Sequence, residues 1–205
     1  ARVSGMGYKG HSGMIYRLTI GEVPYPTAVF PAGGKRGETV SVEFSGPNIP
    51  PGTRQDISVT DEEFPVQYMS FGGRFAGVAE VPFIRSDFPN QVVNAAASSS
   101  PRNSDSAETS KPVPLVLPRV LQGRFDDPQD EDRFSISLKK NESVTLSVMA
   151  QRHLRSPVDT LIEVFDQSQT LVASNDDGAI FQGECTHDFV PVSYTHLTLP
   201  TNDQV

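Results

Sequence analysis

The sequence predicts an all-β protein, two small antiparallel β-sandwiches joined by a flexible linker, and three observations carry that prediction. Apolar residues recur with a period of two, and the 3.6-residue period of a helix hardly occurs. Pro and Gly interrupt the chain at intervals too short for helices. One stretch, residues 95–117, is rich in Ala, Ser and Pro and poor in hydrophobic anchors, as an extended tether would be. Many short strands with frequent turn residues are accommodated most readily by packing one sheet on another.

In chain order, Tyr16, Leu18 and Ile20 alternate with Arg17 and Thr19, the pattern of a half-buried strand. Residues 1–23 are then expected to be the end of a preceding β domain. The first sandwich is placed at 24–94. Its punctuation is Pro24, Pro26, Pro31, Gly33-Gly34, Gly46-Pro47, Pro50-Pro51-Gly52 and Gly72-Gly73, and its clearest strand holds Val40, Val42 and Phe44. The linker passes from Ala95 through Asn103-Ser104-Asp105-Ser106 into Lys111-Pro112-Val113-Pro114. The second sandwich, 118–190, opens with Phe134, Ile136 and Leu138 alternating with Ser135 and Ser137. After the hairpin-length connection Lys139 to Ser143 come Val144, Leu146 and Val148. Two further strands, Leu161 to Phe165 and Leu171 to Ala173, flank the turn-like Asp166-Gln167-Ser168-Gln169. Domains this small bury only about 60% of the surface their unfolded chains expose, so a bound metal or a neighbouring domain of the same chain would add useful stability.

Composition bounds the function. The 205 residues carry 25 acidic and 17 basic side chains, a net charge of -8, with 37% hydrophobic residues, no Trp and one Cys. No apolar run approaches the roughly 20 residues of a membrane-spanning helix. An acidic chain without a tight basic cluster repels phosphate, which disfavours nucleic acid. Residues 1–119 are balanced at 11 acidic and 11 basic, whereas 120–190 hold 13 acidic and 6 basic. The excess therefore sits in the second sandwich, which should attract cations. The lone Cys185 excludes an internal disulfide and suits either a reducing cytosol or a Cys-poor exported protein. Ala1 at the start, with no basic-then-apolar run after it, is read as a processed terminus or an internal piece.

Catalytic constellations are weak. Gly5-Met6-Gly7-Tyr8-Lys9-Gly10 matches the glycine pattern of dinucleotide sites but lacks the strand before and the helix after that give the pattern its chemistry. Ser12 has no nucleophile elbow. Cys185, His187 and Asp188 form the one conceivable triad, and Cys185 with His187 is a lone pair of zinc ligands where four are needed. The expectation is a chain without catalysis.

The acidic clusters are the candidate site. Asp126, Asp127, Asp130, Glu131 and Asp132 lie close together, and Asn175, Asp176 and Asp177 precede Gly178. Calcium takes six to eight oxygens in relaxed geometry, and such turns supply them, so Asp126, Asp130, Asp132, Asn175, Asp176 and Asp177 are its candidate ligands. The competing reading is that Asp and Asn cap turns. Asp130 and Asp132 share side-chain parity at a strand start and point the same way, so their mutual repulsion calls for a cation, Arg124 or Arg133. Phe125, Phe134 and Phe165 suit core packing better than a sugar-stacking platform.

Two stretches also carry a family resemblance. Residues 118–138, with Gly123, Pro128, Asp130, Asp132 and Phe134, followed by Leu146 to Arg152, Ser156 to Asp159, Asn175 to Gly178 and Thr186-His187-Asp188, resemble the bacterial pre-peptidase C-terminal domain. The resemblance implies a jelly-roll-like sandwich, export, and a non-catalytic accessory or adhesion role with extracellular polysaccharide or protein as partner. The alternative it implies is an accessory segment of a secreted peptidase whose catalytic domain lies elsewhere. Gln169 stands where that family's turn usually has Gly, and the Glu-Pro-Asn motif that commonly precedes the domain is missing from Ser100 to Asn103. Residues 27–34 and 37–48 resemble an immunoglobulin-like domain of the IPT/TIG kind. Finally, Val192 to Thr201 resembles a read-through tail found on unrelated gene predictions. On that reading 191–205 is non-native and the second sandwich is truncated; the other reading is a genuine strand through Val192, Tyr194 and Thr198.

Overall fold

The computed structural model describes residues 2–4, 10–72, 78–93, 112–126, 130–139, 142–176, 186–189 and 195–203, the last two segments by their backbone. Almost all regular structure in them is β. The N-terminal unit contains β1 (Ala28–Phe30), β2 (Gly33–Lys35), β3 (Thr39–Ser45), β4 (Arg54–Ser58), β5 (Val66–Ser70), β6 (Glu80–Ser86) and β7 (Asn90–Val92). One sheet runs β1-β3-β4 and another β2-β6-β5. Both feed one core: Val29, Val42 and Phe44 from the first sheet, Met69, Val81 and Phe83 from the second, with Ile49 and Val59 from connecting turns. Phe44 meets Phe71 edge to face at 5.5 Å.

The C-terminal unit contains β8 (Val113–Pro114), β9 (Val120–Gln122), β10 (Glu131–Leu138), β11 (Val144–Ser147), the one-turn helix α1 (Gln151–Leu154), β12 (Thr160–Phe165), β13 (Leu171–Asn175), β14 (Thr186–Phe189) and β15 (Thr195–Asp203). Its main sheet has the order β13-β12-β15-β10-β8, and β11 pairs with β14. The second core gathers Phe134, Ile136 and Leu138 of β10 with Ile162 and Val164 of β12; Val144, Leu146 and Val148 pack against them. Alternation along β10 is strict, every second residue from Asp130 to Leu138 being buried. This is what period-two patterning requires of a strand with one covered face.

The alternation in 16–20 does not produce a strand. Residues 14–20 join no ladder, and Ile15, Tyr16 and Ile20 are 88%, 74% and 74% exposed. An extended segment with the right pattern still needs a partner edge, and none of the described strands offers one to it. Among the described residues β10 and β11 do not pair with each other as the hairpin-length connection 139–143 suggests; β10 pairs with β15 and β8, and β11 with β14. Pairing is not purely antiparallel either: β2 with β6, β7 with β9 and β8 with β10 are parallel.

Two segments expected to be breaker or tether are strand. Gly33-Gly34 lies in β2, flush against the core: a Cβ on Gly34 would stand 2.7 Å from Val40 and 2.8 Å from Val59. Val113 and Pro114, assigned to the linker, pair with Phe134 and Ser135. Of the expected tether, residues 95–111 lie outside the described residues. Residues 195–203, expected within a tail, form β15 between β10 and β12, in register with all eight residues of β10. The turn between β12 and β13 is as expected: Asp166 accepts the amides of Ser168 and Thr170, and its own amide donates to the Thr170 carbonyl. Gln169 there has φ 62°, the left-handed conformation that suits glycine. Gln169→Gly is expected to raise unfolding free energy by about 0.5 to 1 kcal/mol in a denaturant titration. A loss of stability would show that the Gln side chain is used.

Candidate functional site

The candidate residues gather where β10 begins. Asp130 and Asp132 are buried, 6% and 5% exposed, and continue the inward-facing row of Phe134, Ile136 and Leu138. The shared parity of these carboxylates therefore holds, and they close one end of the apolar core. Asp130 accepts the backbone amide of Asp126 at 3.1 Å, which folds the 123–126 segment back over the strand start. Gly123 makes room for the neighbouring carboxylate, since a Cβ there would lie 2.9 Å from an Asp132 oxygen. Arg124 pairs with Asp126 at 2.7 Å, and Arg133 with Glu131 at 2.5 Å. The two arginines named as possible neutralisers are thus engaged by the outward-facing carboxylates. Asp127 lies outside the described residues.

The other cluster is at the same end of the sheet but on a different strand. The register runs Asp132 to Thr201, Ile162 to Thr201, and Ile162 to Asn175, so Asp132 and Asn175 stand in one row separated by three interstrand steps. At the 4.7–4.9 Å spacing of strands this is about 14 Å, whereas oxygens on one calcium ion lie within about 5 Å of each other. The clusters are two places. Asn175 ends β13 and Asp176 follows it; Asp177 lies outside the described residues. Among the described residues no three His, Cys, Asp or Glu side chains are grouped so as to hold a metal ion.

The remaining candidates divide simply. Residues 5–9 and Cys185 lie outside the described residues. His187 and Asp188 fall in β14, opposite Leu146 and Thr145. His11 caps its own turn, its Nδ1 accepting the Gly13 amide at 3.1 Å. Phe134 is core, 6% exposed, so a stacking platform would lack it.

Sequence reasoning missed Arg85. It follows Val81 and Phe83 in the inward phase of β6, yet its side chain is only 4% exposed. It donates to the Phe64 carbonyl at 2.5 Å, to Gln67 Oε1 at 3.3 Å and to Glu62 at 2.8 Å. Arg36 holds the same loop, donating to the carbonyls of Glu62 and Glu63 while pairing with Asp87. A basic residue in phase with two core residues was the available signal. Arg85→Ala is expected to cost about 2 to 4 kcal/mol in chemical denaturation, from lost charge-assisted bonds and lost stem packing. Glu62→Gln should cost under about 1 kcal/mol, since that partner is 68% exposed. Equal costs would place the stability in the ion pair instead.

No family model, no curated protein and no solved structure matches this chain.

Proposed function

We propose that the chain is a non-catalytic accessory region of a larger exported bacterial protein. Its parts would be an immunoglobulin-like sandwich of the IPT/TIG kind and a sandwich of the pre-peptidase C-terminal type. Its role would be spacing or adhesion toward extracellular polysaccharide or protein. The observation that supports this reading best is the use made of buried charge. Arg85 is committed to holding the loop at 62–67, and Asp130 to holding Asp126. Both tasks are scaffold tasks, the kind a spacer needs. The complete reading frame is expected to carry an export leader upstream and further β modules alongside. A leaderless frame continuing into an intracellular enzyme fold would overturn the proposal.

Calcium is part of the same proposal: with no three acidic side chains grouped there among the described residues, it would be held at the start of β10 by Asp130 or Asp132 with backbone and water oxygens, and separately near Asn175 and Asp176. A cation there would offset the cost of keeping two carboxylates away from water at the end of a core. At free calcium ten times the dissociation constant, linkage adds about 1.4 kcal/mol, a shift of several degrees for a domain of this size. The melting midpoint should rise with calcium but not with magnesium, and Asp130→Asn should remove the part of the rise that belongs to the β10 site. An unchanged midpoint at millimolar calcium would remove the metal from the proposal.

A further inference from the structure

We infer that the two units are locked into one rigid body by a junction that both build, and that the covalent connection between Val93 and Pro112 does not set their relative orientation. This goes beyond an accessory role: it makes the chain a stiff spacer with a fixed offset between its ends.

The junction starts with a shared ladder. β7 from the N-terminal unit pairs in parallel with β9, Asn90 opposite Val120, Gln91 opposite Leu121 and Val92 opposite Gln122. Beyond the ladder ends, the Val120 amide donates to the Pro89 carbonyl at 3.0 Å and the Val93 amide to the Gln122 carbonyl at 2.9 Å. The Gln122 side chain donates to Asn90 Oδ1 at 3.0 Å. It lies in space that only glycine leaves at position 33, where a Cβ would stand 2.7 Å from Gln122 Nε2. Val93 and Leu121 then pack against the second core, so the N-terminal unit supplies part of the C-terminal unit's interior.

Two further contacts lie on other strands. Arg155, left-handed at φ 56° after α1, donates to the Glu80 carbonyl at 3.2 Å and sits 5.6 Å from the Tyr68 ring centre. An open groove of about 440 Å³ lies at this contact, lined by Tyr68, Val78, Ala79, Glu80 and Arg155. Arg124 lies 5.2 Å from the ring centre of Phe30 in β1. One contact would leave a hinge; contacts on β1, β6 and β7 together remove the rotations that each alone allows.

The test is a distance distribution between spin labels in the full chain, at Glu38→Cys and Ser168→Cys in a Cys185→Ser background. Both labelled sites are exposed, one in each unit. A single narrow distribution is expected, and it should keep its mean and width when a Gly-Ser insert is placed between Ser100 and Pro101. Replacing Gln122, Arg124 and Arg155 together by Ala should broaden it. If the connection were the only coupling, a tether of that length would spread the distances over roughly 20 Å and the insert would shift them. A broad parent distribution, or a mean that moves with the insert, overturns the inference.

Discussion

A chain ending at Val190 is expected to lose its C-terminal core while the N-terminal core stays folded. The reason is the position of β15, which is an interior strand. It is bonded to β10 through eight consecutive pairs, from Glu131 opposite Asn202 to Leu138 opposite Thr195, and on its other side to β12 from Thr160 to Phe165. Removing an edge strand costs one ladder. Removing β15 costs two, and leaves β10 and β12 facing each other across two strand spacings, about 9.6 Å. Their backbone groups could then pair only with water, which must enter beside Phe134, Ile136, Ile162 and Val164. The N-terminal unit has its own core of Val29, Val42, Phe44 and Phe83 and draws nothing from β15. In denaturant the shortened chain should show a transition with a smaller slope, since less surface is buried, and it should bind a hydrophobic dye before that transition. An unchanged midpoint and slope would show that residues 191–205 are dispensable, as the tail reading expects.

Phe83→Ala should cost about 3 to 5 kcal/mol, which is much of the stability a domain of this size possesses. Phe83 is 0% exposed and central in β6, between a strand on either side. The cavity would be hard to close, because β2 already approaches as nearly as it can through Gly34, whose absent Cβ would lie 3.1 Å from the Phe83 ring. Phe64→Ala makes the control. That ring is 77% exposed, so its truncation should change stability by less than about 0.5 kcal/mol. Two phenylalanines nineteen positions apart thus carry opposite expectations, and a denaturation curve of each variant separates them. Comparable costs would mean that the Phe64 loop packs in solution on something it does not touch here.

Much of the site was legible in sequence, and the legible part has a common physical origin. Asp130 and Asp132 share a face with Phe134, Ile136 and Leu138 because successive side chains of an extended chain alternate, whatever the chain pairs with. The same local rule identified Val42 and Phe44 as inward residues of β3. It could not reveal that Arg124 and Arg133 are taken by Asp126 and Glu131, because that depends on side-chain reach across a fold-back at Gly123. Nor could it separate the two acidic clusters, which only the register through β15 places about 14 Å apart.

By itself the sequence determined the β character of the chain, the inward face of its strongest strands and the acidic bias of its C-terminal unit. These are properties of neighbouring residues and of composition. Only the tertiary structure decided which edge each strand meets, in which direction, and whether it meets one at all. The 14–20 segment has the alternation and no partner among the described residues; Val113-Pro114 and Gly33-Gly34 have weak patterns and are paired. The physical reason is that a strand's hydrogen bonds are satisfied by chain remote in sequence, so its partner is chosen by what the rest of the fold leaves open. The junction of β7 with β9 is the clearest instance, since neither segment is long or apolar enough to announce itself, and together they join the two halves.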